Sequence, residues 1–156
     1  SGIELRAFST FGFVNPALEN AGLDFTISSL DSNVRPMVLG GFGSSGLASG
    51  MSGLSDIIYN LTAFYAQDKF EARINVNYRS SFVFAAGLGG FQDYDEATIV
   101  DAEASYDFLD PQKFSVLGEN LRDEPQRIYD DGIPALTIQM QHYGSTFGVR
   151  LKYDLD

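Results

Sequence analysis

The residue types best suited to chemistry in this sequence are carboxylates and aromatic side chains, and none of them forms a catalytic group. The chain has 156 residues, one histidine and no cysteine. No serine, cysteine or second histidine forms a catalytic arrangement around His142. The same counts exclude a thiolate metal site and disfavour a histidine-based one. We therefore expect no enzyme activity, no bound metal and no cofactor, and weak calcium binding by Asp93, Asp95 and Glu96 is the alternative.

Aromatic residues between the patterned segments are the candidates for ligand contact. Phe91 and Tyr94 lie in the acidic stretch FQDYDE. Phe42 and Tyr129 lie in two other long connections between the predicted strands. Rings in such places can stack on a sugar or on an aromatic chelate. The glycine-rich stretch 40–53 lacks the lysine and the strand-to-helix context of a phosphate loop, so we expect it to be an external loop.

Charge and hydropathy limit the partners further. The chain has 10 basic and 21 acidic residues, a formal net charge of -11 and a sequence pI of about 4.3. We expect no nucleic-acid partner, because a phosphate backbone attracts basic proteins. No window approaches the roughly 18 consecutive apolar residues of a transmembrane helix. Membrane-crossing strands remain possible.

One charged motif, GENLRDEPQRIY at 118–129, directly follows the apolar stretch KFSVL. The side chains of Asn120 and Asp123 can bond nearby backbone N–H groups, and Pro125 removes a donor from strand pairing. The motif therefore predicts a strand exit, with a strand ending at Leu121 and the chain released at Asp123 to Pro125. Ligand contact by the arginines of the motif is the alternative.

Most of the chain alternates apolar and polar residues with a period of two, which indicates strands. In Phe70 to Arg79, five apolar residues alternate with five polar ones. We predict about seven strands and no helix. The predicted strands are 3–7, 23–28, 56–66, 70–79, 100–108, 114–121 and 146–155.

Short and long connections alternate strictly between these strands. The short ones are near 14–20, 67–69 and 110–112, and the long ones are near 34–55, 85–97 and 123–145. In an antiparallel sheet this places all tight turns at one end and all large loops at the other, which is the asymmetry of outer-membrane barrels.

Aromatic and charged residues agree with a barrel. Aromatic residues flank both kinds of connection, as in the two aromatic belts around a lipid-facing band. We expect the charges of the other face to form cross-strand ion pairs or to contact a plug; a substrate path is the alternative. The short-connection aromatics are Tyr65, Phe70, Tyr106, Phe108, Phe114 and Tyr153, and the long-connection ones are Tyr59, Tyr78 and Phe82. The charges are Glu71, Arg73, Arg79, Asp101, Glu103, Asp107, Arg150 and Lys152.

A soluble β-sandwich would also alternate apolar and polar residues. The charged polar face, the strand lengths of about 10 residues and the polarised connections favour a transmembrane barrel. Seven strands cannot close as a bacterial barrel, which needs an even number of at least eight. We therefore expect the chain to be a fragment whose N-terminal neighbours are missing.

Two stretches resemble the C-terminal part of the TonB-dependent outer-membrane receptors. The motif residues at matching positions are Gly118, Asn120, Leu121, Asp123, Pro125 and Tyr129. In NLTAFYAQDKFEARINVNYRSSF they are Asn60, Leu61, Tyr65, Phe70, Ala72, Arg73, Tyr78, Arg79 and Ser80. The family usually ends on an aromatic residue, whereas this chain ends at Asp156.

The resemblance implies that residues 1–156 are the C-terminal part of an all-β, antiparallel, up-and-down transmembrane barrel of about 22 strands. It implies an outer-membrane location in a Gram-negative bacterium and uptake of a siderophore, cobalamin or an oligosaccharide. The implied partners are outer-membrane lipid, a plug domain of the same chain, the TonB complex and the ligand. A soluble β-sandwich module, perhaps carbohydrate-binding, is the alternative.

Overall fold

The computed structural model describes residues 1–32, 51–85, 91–109, 112–130 and 133–153. Within these ranges the protein is all-β and antiparallel, with eleven strands and one short 3-10 turn at Pro16–Leu18. No helix in the described ranges has the length and apolar character needed to cross a membrane. The strands are β1 Gly2–Thr10, β2 Ala21–Leu30, β3 Ile57–Gln67, β4 Phe70–Arg79, β5 Phe82–Ala85, β6 Phe91–Tyr94, β7 Ala97–Leu109, β8 Gln112–Glu119, β9 Gln126–Asp130, β10 Ile133–Gln141 and β11 Thr146–Lys152.

Seven of these strands form one sheet in the order β1-β2-β3-β4-β7-β8-β11. All seven sequence-predicted strands are confirmed, and they are the seven strands of this sheet. Neighbouring strands pair in antiparallel register, for example Tyr59 opposite Tyr78 and Ile74 opposite Ala102, with one register shift between Asp107 and Leu109 in the β7–β8 pairing. The two-residue turn between β3 and β4 is tight, and Asp68 adopts a positive φ of 51° there.

The other four strands form a second sheet in the order β10-β9-β6-β5. Prediction of the two long connections 85–97 and 123–145 as loops without strands was wrong, because β6, β9 and β10 lie within them. Strands β6 and β9 are only 4 and 5 residues long. The β9–β10 pairing shifts register twice between Ile133 and Gln139, which disrupts the regular pairing of the two strands.

The few buried apolar residues lie in or next to the second sheet. Among the described residues, the apolar side chains with less than a tenth of their surface exposed are Phe91, Ala97 and Ile128. The large apolar residues of the seven-stranded sheet are instead open, as Leu5 and Val149 show with 64% and 70% exposure. The second sheet therefore does not cover the first as the second layer of a sandwich would.

The seven-stranded sheet is open within the described residues. Its outer strands are β1, which pairs with β2, and β11, which pairs with β8. The sheet architecture is thus antiparallel, as predicted, and two strand edges remain available for further pairing.

Candidate functional site

Strand register sorts the side chains of the seven-stranded sheet onto two different faces. Residues directly opposite each other in neighbouring strands point to the same face, and successive residues point to opposite faces. The row Ile74, Ala102, Gly118 and Phe147 therefore lies on one face, and the row Arg73, Glu103 and Leu117 lies on the other. The first face carries no charged residue at any position in these registers, and we call it the apolar face. We call the second face the polar face.

Aromatic rings lie near both ends of the apolar face. At the end with the long connections, Tyr59 stacks on Tyr78 with ring centroids 4.7 Å apart. At the end with the short turns, Tyr65 packs at a tilt against Phe70 with centroids 6.2 Å apart. Phe70 is also opposite Tyr106, which extends this row towards β8. Six of the nine predicted aromatic positions thus lie in two separate rows, whereas Phe82 belongs to the second sheet.

The polar face contains the cross-strand ion pairs that the sequence predicted. Arg73 of β4 contacts Glu103 of β7 at 2.5 Å, and Arg150 of β11 approaches the same carboxylate at 3.7 Å. The Lys113 ammonium lies 2.6 Å from the Glu71 carboxylate. Lys113 was absent from the predicted set, because the predicted strand began at Phe114 whereas β8 begins at Gln112.

Two of the predicted charges have different contacts. Asp101 accepts a hydrogen bond of 2.9 Å from the backbone N–H of Asn120. Arg79 donates to the backbone carbonyl of Asp95 at 3.2 Å, and its guanidinium lies 4.9 Å from the centre of the Phe82 ring. Both residues therefore tie the end of the seven-stranded sheet to the connections beyond it.

A groove of about 370 Å³ lies on the polar face towards the short-turn end. Side chains of the five strands β3, β4, β7, β8 and β11 line it. Its lining residues are Phe64, Ala66, Glu71, Ala72, Arg73, Glu103, Ser105, Lys113, Ser115, Arg150 and Lys152.

The predicted strand exit lies at the opposite end of β8. The strand ends at Glu119, two residues before the predicted Leu121, because Asn120 adopts a positive φ of 50° that breaks the extended backbone. The Asn120 side-chain oxygen accepts from the backbone N–H of Glu124 at 2.9 Å. Its backbone carbonyl accepts from the Ser145 hydroxyl at 2.8 Å. Asn120 therefore holds the start of the connection against its end.

The other motif residues complete this turn. Asp123 also has a positive φ, of 51°, and its backbone N–H donates to the Asn120 carbonyl at 2.8 Å. Leu121 lies over Gly118, where an added Cβ would come within 2.7 Å of a Leu121 methyl carbon. Pro125 stands directly before β9, so its missing N–H falls outside the ladder. These five motif residues, Gly118, Asn120, Leu121, Asp123 and Pro125, thus have local structural roles.

The aromatic ligand-contact candidates are not brought together. Phe91 is buried in the second sheet, with 6% exposure, and has no face open to a ligand in this conformation. Tyr94 is partly exposed and stacks on Phe82 at 4.7 Å. Tyr129 is opposite Asp93, so it lies on the other face of the sheet from Tyr94. Phe42 lies outside the described residues.

Tyr129 has an electrostatic setting of its own. Burial raises the pKa of its hydroxyl, and the carboxylates of Asp95 and Asp93 raise it further. Tyr129 therefore stays neutral and offers a hydroxyl donor. No group of three or more potential metal ligands occurs in the part of the chain that the structure describes.

Comparison with known proteins adds no relative. No protein-family model, curated protein or solved structure matches the chain.

Proposed function

We propose that the chain is the C-terminal part of the barrel of a TonB-dependent outer-membrane receptor, which imports a scarce, bulky nutrient. The sequence motifs supply the family, and the two-faced antiparallel sheet is compatible with it. In this proposal the apolar face meets lipid and the polar face lines the lumen. The plug domain and the TonB contact are contributed by other parts of the receptor.

The uncovered apolar face is the observation that carries the proposal. Seven strands at about 4.8 Å spacing make a sheet roughly 30 Å wide, and 9 residues extend about 30 Å. A water-exposed apolar patch of this order greatly exceeds the few hundred Å² that soluble monomers expose. Large apolar side chains across it are open, among them Ile3, Leu5, Phe70, Ile74, Tyr106, Phe114, Val116, Phe147, Val149 and Leu151.

Strand length and ring position are consistent with lipid as the covering layer. The strands β1 to β4 have 9, 10, 11 and 10 residues. About 9 to 11 residues of a tilted strand cross a bilayer. The aromatic rows at both ends of the face are then at the depth of the lipid headgroups.

The uptake side follows from the connections. Both the second sheet and the motif turn belong to the end with the long connections, which faces outwards in such barrels. We assign ligand recognition to this end, with Tyr94 and Tyr129 as the partly exposed aromatic contacts and Phe42 as a further candidate.

A pair of adjacent cysteines tests the membrane orientation. Residues 1–156 contain no cysteine, so Ile74→Cys and Asn75→Cys each add a labelling site at the same depth on opposite faces, and any cysteine elsewhere in the full-length protein is first replaced by serine. Spin labels are attached to the full-length protein in lipid vesicles. We expect molecular oxygen to relax the label at position 74 and a water-soluble nickel chelate to relax the label at position 75. Equal access of the chelate to both labels would contradict a lipid-facing apolar face.

Uptake itself is tested in cells. A strain lacking the gene should lose growth on one scarce nutrient among iron chelates, cobalamin and oligosaccharides, and the wild-type gene should restore it. Loss of TonB should cause the same defect. A protein that lies in lipid but whose deletion leaves all these uptake rates unchanged would retain the barrel and refute the receptor.

A further inference from the structure

The groove on the polar face has a charge opposite to that of the whole chain. Its lining has four basic and two acidic residues, a formal balance of four minus two, or +2, whereas the chain carries -11. Four of the ten basic residues of the chain are thus gathered at one place. The basic residues are Arg73, Lys113, Arg150 and Lys152, and the acidic ones are Glu71 and Glu103.

Two arginines in this groove share a single carboxylate. Arg73 contacts one oxygen of Glu103 at 2.5 Å, and Arg150 approaches the other oxygen at 3.7 Å. The Glu103 side chain is 18% exposed, while the Arg73 and Arg150 side chains are 59% and 62% exposed. The carboxylate therefore lies deeper than the two guanidinium groups, which stand at the open side.

Two small buried residues let the arginines converge. Arg150 is opposite Ser115, and Ser115 is opposite Ser105. Both serines line the groove and are less than a tenth exposed. A larger side chain at Ser115 would stand between Arg150 and Glu103. The serines thus form a floor over which a side chain from β11 reaches across β8 to β7.

Most of the hydrogen-bond donors of the pair are unused. A guanidinium carries five N–H donors. Within the described residues, Arg73 makes one side-chain hydrogen bond, to Glu103, and Arg150 makes an ion pair without a hydrogen bond. Exposed guanidinium groups with unused donors are suited to bidentate recognition of a planar oxyanion.

We propose that Arg73 and Arg150 form a carboxylate-binding site in this groove. The pair and Glu103 together carry two positive charges and one negative charge, so a single anionic charge neutralises them. A carboxylate supplies that charge and matches the planar geometry of the guanidinium. A dianionic phosphate would leave an excess negative charge beside Glu103. The site requires only the polar face, whatever covers the apolar face.

The carboxylate can come from a small molecule in the lumen or from an acidic side chain of another part of the polypeptide. The tests use full-length protein with ¹⁵N-labelled arginine, in detergent micelles. Acetate is the probe, and the shifts of the arginine Nε–H signals are the measurement. If the site takes a free ligand, we expect acetate to shift two signals saturably, those of Arg73 and Arg150. Either Arg73→Gln or Arg150→Gln should abolish both shifts.

Arg6→Gln is the matched control, because Arg6 forms its own ion pair with Asp24 on β1 and β2 outside the groove lining. It should leave the acetate shifts unchanged. Glu103→Gln keeps both arginines and removes the competing charge, so it should tighten acetate binding by about tenfold. This variant also serves if removal of an arginine prevents folding.

Zero-length carbodiimide coupling separates the two sources. Lys113 lies 2.6 Å from Glu71, so their coupling is an internal positive control. If a chain carboxylate fills the site, acetate shifts no signal, and Lys113 couples to an acidic residue other than Glu71, Glu103 and its register partner Asp107. The site is refuted if acetate shifts no signal and Lys113 couples only to Glu71, Glu103 or Asp107. Phosphate binding tenfold tighter than acetate would also overturn the carboxylate assignment.

Discussion

In the four-stranded sheet Phe91 and Ile128 are buried, whereas in the seven-stranded sheet Ile74 and Leu151 stand open at 50% and 65% exposure. The smaller sheet thus has an apolar core of its own despite two register shifts in the β9–β10 pairing. The larger sheet is regularly paired apart from one register shift between β7 and β8, and within the described residues no second layer covers its apolar side chains. The difference indicates that strand pairing and a buried core are separate sources of stability, and in the proposed barrel lipid would cover the apolar face of the larger sheet.

A charge on the apolar face should produce the largest effect. Ile74→Arg places a cation at the middle of β4, and we expect it to destabilise the protein in lipid vesicles by about 2–4 kcal/mol, the cost of a basic residue near the bilayer midplane. Urea unfolding followed by heat-modifiable gel mobility measures this change.

The control for this substitution is Asn75→Arg, one residue along the same strand. Asn75 is opposite Asp101 on the polar face, so the new cation has a partner there. Its effect should be small. Equal destabilisation by the two substitutions would show that the faces are not in different solvents.

Removal of core volume should affect the smaller sheet alone. Ile128→Ala creates a cavity at a residue with 7% exposure, and we expect a loss of about 2 kcal/mol in the local opening free energy. Amide hydrogen exchange of β6 and β9 should become roughly 30-fold faster, since 1.4 kcal/mol is a factor of ten. Exchange in β3 and β4 should be unchanged.

Ile138→Ala is the matched control, because Ile138 is 53% exposed on β10. We expect it to change the local opening free energy, measured by amide hydrogen exchange, by less than about 0.5 kcal/mol. If Ile128→Ala instead accelerates exchange equally in both sheets, the two sheets unfold as one unit and their separate stabilities are refuted.

The junction between the sheets should respond least. Asn120→Ala loses the bond to the Glu124 N–H and places an alanine at a φ of 50°, so we expect a loss of about 1–2 kcal/mol. Asn120→Gly loses the bond but tolerates the backbone, and it should be less destabilising by about 1 kcal/mol. Thermal unfolding measures both, and identical losses would assign the whole effect to the side-chain bond.

The sequence predicted the larger sheet well because its strands alternate in period two and lie between recognisable turns. It missed β6 and β9 because 4 or 5 residues are too few for the pattern to stand out. β10 had a usable signal, since Leu136, Ile138 and Met140 alternate with Thr137, Gln139 and Gln141.

The sequence predicted that the polar face would carry cross-strand ion pairs, but it did not predict all of the partners. Charged residues on alternating positions indicated cross-strand pairs, and the pairing of Arg73 with Glu103 follows from register. The convergence of Arg150 on the same carboxylate depends on the small Ser115 and Ser105 in the two adjoining strands. This convergence does not follow from the spacing within β11. The burial of Phe91 was likewise hidden, because it depends on strands that the pattern did not show.

The second sheet also has a consequence for the order of folding. Strand pairs such as β3–β4 close a two-residue turn, whereas β4 and β7 must meet across the whole segment between Arg79 and Ala97. Formation of the β5–β6 hairpin first would bring those two ends together and reduce the entropy lost on closure. The β9–β10 hairpin does the same for β8 and β11. Early formation of these two hairpins would therefore convert two slow, long-range strand pairings into short-range ones.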